Sequence, residues 1–162
     1  LNSGGTTISG AVTYDNSVST KLVGVKIYLL DYSSQIVDST FSDASGNYSF
    51  NNVYNGSYSI KSESNYPWGG VNSTDALAIM QHFTGIYNLT GLRLEAADVD
   101  ISNYINSVDA LYVAQRFVLL INSFPAGDWI FEKPPIIVDG TGPVVVDVKG
   151  LCVGDVDGSY VP

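Results

Sequence analysis

The 162-residue sequence is poor in basic residues and cysteine. Seven lysines and arginines stand against 16 acidic residues, so the net charge is −9. This balance argues against the basic surfaces with which proteins bind nucleic acid or anionic membranes. A single cysteine excludes an internal disulfide framework. No apolar run approaches the roughly 20 residues of a membrane-spanning helix, so we expect no membrane insertion. The charge balance leads us to expect no binding of nucleic acid either.

Glutamate is also rare, with three residues against 13 aspartates. The three glutamates are scattered, and no pair of them suggests glycosidase carboxylates. The lone histidine, His82, lies on a predicted helix where its duplicate carries arginine. We therefore expect no catalytic site. Short, stiff aspartate is typical of the oxygen cages that hold calcium.

Strand-like and helix-like patterns divide the chain. Residues 8–64 form short alternating runs separated by turn signals such as Asn55-Gly56, which is typical of an antiparallel β-sandwich. After residue 65, apolar residues three and four apart predict two helices, each preceded by good helix-start chemistry. Strand character returns in "WIFEKPPIIVDG" and "GPVVVDVKGL", which flank a Gly-Thr-Gly turn and predict a hairpin whose first arm is an edge strand, because it contains two prolines.

An internal repeat underlies the two helices. The stretches 71–83 and 105–117 are identical at seven of thirteen positions, at a constant offset of 34 residues. Shared helical propensity does not account for this many identities, so we interpret the pair as a duplicated unit.

The second copy follows a complete calcium-loop pattern. In "DVDISNYINSVD" the oxygen-bearing positions fall at one, three, five, seven, nine and twelve, the spacing of a twelve-residue calcium loop. Asn103 occupies the sharp-turn position, where asparagine tolerates a left-handed backbone. The alternative is a polar loop in which Asp109 only caps the helix. The predicted ligands are Asp98, Asp100, Ser102, Tyr104, Asn106 and Asp109.

The first copy keeps only the closing half of such a loop. Its opening half would be Ser64, Tyr66 and Trp68, which cannot cage a cation. The C-terminal "DVDGS" (155–159) has the missing ligand spacing, so we predict that the tail folds back and completes a split site. The alternative is a disordered polar tail. The predicted ligands of the split site are Asp155, Asp157, Ser159, Gly70, Asn72 and Asp75.

Two calcium loops, each followed by one helix and closed by aspartate, resemble a type I dockerin. The strings "VNSTDAL" and "INSVDAL" carry the likeness, which covers residues 66–123 and 152–162. Dockerins are non-catalytic modules of secreted, mostly bacterial proteins, and many bind cohesin modules. The resemblance implies partner-selecting pairs just before each closing aspartate, namely Ser73, Thr74, Ser107 and Val108.

The front part of the chain, with "ISGAVTYDNS" and "LVGVKIYLLD", resembles carboxypeptidase-regulatory-like sandwiches close to the collagen-adhesin B-type fold. Some members of the latter group carry a Lys–Asn isopeptide bond. We expect none here, because the first strand has no lysine and the predicted core has no glutamate.

These observations predict an α+β protein. A small antiparallel β-sandwich (1–64) precedes a dockerin-like module (65–162) with two duplicated loop–helix units, a C-terminal β-hairpin and a returning tail (152–162). The predicted function is a non-catalytic module that binds two Ca²⁺ ions and a cohesin-type partner. We expect it to belong to a secreted bacterial protein that degrades polysaccharide or lies at the cell surface. The alternative is a calcium-rigidified spacer without such a partner.

Overall fold

The computed structural model describes residues 5–162, which contain nine strands and three helices. In chain order these are β1 (Thr6–Tyr14), β2 (Lys26–Asp31), β3 (Ile36–Phe41), β4 (Asn47–Val53), β5 (Gly56–Glu63), α1 (Ser73–Phe83), α2 (Gly91–Ala97), α3 (Ser107–Phe117), β6 (Trp129–Phe131), β7 (Pro135–Val138), β8 (Val144–Val145) and β9 (Val148–Cys152).

The chain divides into two compact units, each assembled from three stretches of sequence. The first unit contains the chain up to Tyr14, Lys21–Asn65 and Phe131–Lys149. The second contains Asp15–Thr20, Tyr66–Ile130 and Gly150–Pro162. The segment 131–149, which the sequence placed with the helical module, thus lies in the first unit, and the short segment 15–20 lies in the second.

Two sheets account for the strands and confirm the predicted α+β class with a sandwich. One sheet has the order β4-β1-β9-β6, with β8 beside β1; the other has the order β3-β2-β5-β7. The pairs β1–β4, β2–β3, β2–β5 and β5–β7 are antiparallel, whereas β8 runs parallel to β1. The division between the units falls within β6 and β9.

The two arms of the predicted C-terminal hairpin enter different sheets. β7 pairs with β5, with Ile137 opposite Ser57, while β8 pairs with β1, with Val144 opposite Ile8. β7 is an edge strand, as the proline pair 134–135 predicts. All four residues of β7 pair with the free edge of β5, and Ile136 is buried there. A hairpin with β8, which has two residues, would pair fewer of them.

Alternation along the strands builds the core of the first unit. Ile27 and Leu29 of β2 and Tyr48 and Phe50 of β4 are buried, while the residues between them are more exposed. This period of two places one face of each strand against the opposite sheet.

The second unit is built around α1 and α3. The short helix α2 lies between them in sequence and was not expected from the sequence. Its core is formed by Val71, Ile79, Leu89, Ala97, Val99, Ala110, Val113, Phe124, Val153 and Val156. The last two residues belong to the C-terminal tail, so the tail is a part of this core and not a disordered polar end. Within residues 5–162, no helix combines the length and the apolar character that crossing a membrane requires.

Replacing Gly10 by alanine should weaken the first unit. A methyl group there would overlap the main-chain carbonyl of Val146, which also accepts a hydrogen bond from the Tyr48 hydroxyl at 2.6 Å. We expect the free energy of unfolding to fall by about 1–3 kcal/mol, the usual cost of forced overpacking. Chemical denaturation measures this, with Ser9→Ala as the control. Equal stability of the two variants would contradict the close approach of the 144–147 segment to β1.

Candidate metal centre

The contiguous loop brings its three aspartates together. Carboxylate oxygens of Asp98, Asp100 and Asp109 lie within 4.8 Å of one another. The amide of Ser102 donates to Asp98 Oδ1 at 2.9 Å and to Asp100 Oδ1 at 3.0 Å, and the amide of Asn103 donates to Asp98 Oδ2 at 2.9 Å. The loop backbone therefore wraps around the cluster and orients it.

Two residues of this loop adopt the left-handed conformation. Asn103 has a φ of 64°, as expected for the sharp-turn position. Ile101 has a φ of 60°, which the sequence does not predict, because β-branched residues rarely adopt a positive φ. The wrapped loop thus holds an unfavourable backbone conformation at Ile101.

Asp109 caps α3, which the sequence left as the alternative to a ligand role. Its Oδ2 accepts from the amide of Asn106 at 2.9 Å, and the side chain of Asn106 accepts from the main chain of Asp109, which together form a capping box at the start of α3. Asn106 Oδ1 also accepts from the amide of Val108 at 2.7 Å. Its Oδ1 accepts from the amide of Val99 at 3.0 Å. Since an ionised carboxylate has about four acceptor positions, capping leaves lone pairs for a cation.

The second cluster joins the two halves that the sequence predicts to meet. Carboxylate oxygens of Asp75, Asp155 and Asp157 lie within 4.8 Å of one another. The amide of Asp157 donates to Asp75 Oδ1 at 3.1 Å, although the two residues are 82 positions apart. The tail thus lies directly beside the start of α1.

The tail repeats the hydrogen bonds of the contiguous loop. The amide of Ser159 donates to Asp155 Oδ1 at 3.2 Å and to Asp157 Oδ1 at 2.9 Å, as Ser102 does with the first two aspartates of its loop. The amide of Tyr160 donates to Asp155 Oδ2 at 3.3 Å, the counterpart of the bond that Asn103 makes. The opening half of the cage therefore has the same conformational framework in both clusters.

The closing halves match as well. The amide of Asn72 donates to Asp75 Oδ2 at 2.9 Å and the side chain of Asn72 accepts from the main chain of Asp75, a second capping box. The amide of Thr74 also donates to Asn72 Oδ1 at 2.7 Å. Asn72 Nδ2 donates to the carbonyl of Gly70 at 3.2 Å, as Asn106 Nδ2 does to the carbonyl of Tyr104 at 3.4 Å. All predicted ligand positions of the split site are accordingly assembled.

Gly70 allows the tail to approach. Its φ is +81°, and a Cβ there would overlap the Cβ of Tyr160 and lie 3.0 Å from Asp155 Oδ2. The sequence predicts Gly70 as a ligand of the split site, and a glycine could offer only its main-chain carbonyl. Its missing side chain is a second requirement of the split site, which only the fold reveals.

The electrostatics of both clusters favour a bound cation. The side chains of Asp75 and Asp155 are fully buried. Burial, with smaller contributions from the charges of Asp157 and Asp155, raises the pKa of Asp75 to about 7, although backbone hydrogen bonds from Asn72 and Asp157 lower it. Burial also raises the pKa of Asp109, with repulsion from Asp100 as a smaller contribution. A divalent cation would offset these costs, and the all-oxygen donor sets, which contain aspartate but no histidine or cysteine, fit calcium.

The four predicted partner-selecting residues are exposed in the first turns of α1 and α3. They are Ser73, Thr74, Ser107 and Val108.

The two tryptophans form hydrogen bonds within the second unit. Trp68 Nε1 donates to the carbonyl of Val153, and Trp129 Nε1 donates to the carbonyl of Tyr66, both at 2.9 Å.

Two family models match the chain. Residues 4–82 match the second β-sandwich domain of the NOMO1-like subunit of the BOS complex. Residues 69–118 match the dockerin type I domain. The resemblance found in the sequence is thereby confirmed, and the second unit contains a dockerin-like module of a calcium-binding, non-catalytic type. No curated protein sequence matches the chain.

Solved structures with some likeness include pilins. The major pilin subunit of Bacillus cereus is 15% identical over 91% of this chain and 30% of its own, with a TM-score of 0.45. The minor pilin of Streptococcus agalactiae is 9% identical over 98% and 47%, with a TM-score of 0.47. The T6 backbone pilin of Streptococcus pyogenes is 22% identical over 40% and 14%, with a TM-score of 0.36. The chain spans less than half the length of each of these proteins.

Gly70→Ala should damage the split site and spare the contiguous one. The added methyl group would push Tyr160 and Asp155 away from α1, so a calorimetric calcium titration should show weakened binding at the split site alone. Gly85→Ala is a matched control, because Gly85 has a φ of +75° with nothing within 4 Å of its Cβ position. Both variants should lose about 1 kcal/mol to backbone strain. Equal calcium binding by both would contradict the close approach of the tail.

Proposed function

We propose that the second unit binds two calcium ions, one in the contiguous site and one in the split site, and that the ordered module binds a cohesin-type protein. The observation that carries this proposal is the repetition of one hydrogen-bond framework around two aspartate clusters, one of which is assembled from distant parts of the chain. The match to the dockerin type I model supports calcium as the ion.

A duplicated exposed surface supports a protein partner. Ser73, Thr74 and Leu77 lie on one face of α1, because residues three and four apart are neighbours on a helix. Their equivalents in α3 are Ser107, Val108 and Leu111. Leu77 is 57% exposed and Leu111 is 56% exposed. We call these six residues the paired helix face.

Calcium would order this face directly. Thr74 and Val108 each precede a closing aspartate, and each donates its amide to the asparagine of a capping box. A cation held by the aspartate therefore fixes the helix turn that presents these residues. Loss of calcium should weaken partner binding as well as the fold.

We place the parent protein outside the cell or on the surface of a bacterium, where dockerin modules occur, and infer that it takes part in polysaccharide degradation. The module itself has a binding role and no catalytic one in this proposal. Millimolar extracellular calcium would fill loops of this kind, since extracellular modules bind calcium with dissociation constants of about 10⁻⁴–10⁻³ M.

A structural spacer is the second candidate. It is favoured by the tail itself, because one of the two clusters closes the C-terminus onto α1, a use of calcium that needs no partner. Binding of a cohesin distinguishes the two functions.

Calorimetric titration of the intact chain should show two calcium ions. Asp109→Ala should remove the contiguous site and Asp75→Ala the split site, because each deletes the carboxylate expected to hold the ion with both oxygens. Asp139→Ala, which changes an exposed turn in the first unit, is the control and should keep two ions. One ion or none in the unchanged protein would refute the two-site proposal.

Charge on the paired helix face should prevent partner binding. Leu77→Arg combined with Leu111→Arg should weaken capture by a panel of purified cohesins by roughly tenfold or more, as for other central interface residues. Both calcium ions should be retained. Val145→Arg in the first unit is the control, since Val145 is 72% exposed. Absence of calcium-dependent binding to every cohesin would favour the spacer.

A further inference from the structure

A short segment outside the dockerin match contacts the tail. Residues 15–20, between β1 and β2, belong to the second unit. Arg93 of α2 donates from Nη1 to the carbonyl of Asp157 at 2.9 Å and from Nη2 to the carbonyl of Asp15 at 3.1 Å. Its Nε also forms an ion pair with Asp15 Oδ2 at 3.3 Å. One guanidinium thus joins residue 15 to a residue that contributes to the split cluster.

Asn16 adds a second connection. Its side chain is only 8% exposed, and its Nδ2 donates to the carbonyl of Tyr160 at 2.8 Å. The same side chain bonds Thr20 twice, through Nδ2 to Oγ1 at 2.8 Å and through Oδ1 from the amide at 3.0 Å. These bonds fold the 15–20 segment locally and hold it against the end of the tail.

The tail backbone fits beneath these groups only without a side chain at residue 158. Gly158 has a φ of +65°, and a Cβ there would lie 2.5 Å from the Asp15 carbonyl oxygen and 2.6 Å from Arg93 Nη2. In the contiguous loop the equivalent position is Ile101, whose side chain is 59% exposed. At this position the contiguous loop is exposed to solvent, whereas the tail is covered by Asp15 and Arg93.

We propose that Asp15, Asn16 and Arg93 form a tail clamp that assembles the split calcium site before the ion binds, with Arg93 as its positioning residue. This inference rests on the proposed split site. A contiguous loop keeps its halves together through the chain, whereas the split site must bring together segments about 80 residues apart, which costs entropy. The clamp offsets that cost by bonding the main-chain carbonyls of Asp157 and Tyr160.

The consequence is a difference between the two sites. The apparent affinity of a site falls with the fraction of molecules in which that site is assembled. Loss of the clamp should therefore lower affinity at the split site alone. A merely structural loss of stability would affect both sites.

The first experiment titrates calcium into the full chain carrying Asp15→Asn and Arg93→Gln together, which removes the ion pair without leaving one charge unpaired. The split-site affinity should fall by roughly ten- to hundredfold, the weight of a lost charge-assisted hydrogen bond. The contiguous site should change by less than about twofold, because it shares no partner with the clamp. Arg93→Lys, which keeps one charged donor, should recover part of the loss.

Gly158→Ala tests the clamp from the tail side, and Gly127→Ala is its control, with a φ of +85° and nothing within 4 Å of its Cβ position. Only Gly158→Ala should weaken the split site. This pair keeps the proposal testable if the charge variants fail to fold, which loss of the contiguous site would reveal.

Hydrogen exchange in chelator tests assembly without calcium. The amides of residues 157–160 should be protected in the unchanged protein and exchange faster in the Asp15→Asn, Arg93→Gln variant. Unprotected amides in the unchanged protein, or unchanged split-site affinity in the clamp variants, would overturn the clamp while leaving two-ion binding intact. If the unchanged protein binds only one ion, the split site itself is refuted, and the clamp with it.

Discussion

Three carboxylates whose oxygens lie within 4.8 Å of one another repel, and the second unit contains two such clusters. Full burial of Asp75 and Asp155 removes the water that would otherwise weaken this repulsion. The surrounding structure is consistent with a cation as the compensating charge. Backbone amides orient the carboxylates, the capping boxes fix α1 and α3 against them, and the tail lies in the core of the unit.

The split cluster indicates that a calcium-loop arrangement does not depend on an unbroken loop. What such a loop supplies is a set of oxygens in a given geometry, and Asp155 and Asp157 occupy the same hydrogen-bond framework as their contiguous counterparts. A site split between two segments requires the backbone of the tail to pack closely against the rest of the unit. Gly70 and Gly158 leave space where the tail meets α1 and Arg93, and a side chain at either position would occupy that space.

The sequence predicted which aspartates lie together. The cluster of Asp98, Asp100 and Asp109, both helix starts and the left-handed Asn103 follow from spacing within short segments, whereas the cluster of Asp75, Asp155 and Asp157 was predicted by comparing the tail with the contiguous loop. The helix α2 was missed because its seven residues are too few to establish a period. The hairpin prediction was wrong because it paired two segments that are neighbours in sequence, whereas their partners in the structure, β5 for β7 and β1 for β8, lie far away in sequence.

What the sequence determined by itself is local. Alternating oxygen-bearing residues predict a calcium loop, and the asparagine–aspartate pairs of the capping boxes specify helix starts, because both depend on neighbours within about twelve residues. The tertiary structure alone decided that segment 131–149 joins the first unit and that Arg93 lies between Asp15 and the tail. These contacts join distant residues, and their formation depends on which strand edges and backbone carbonyls the rest of the fold leaves available.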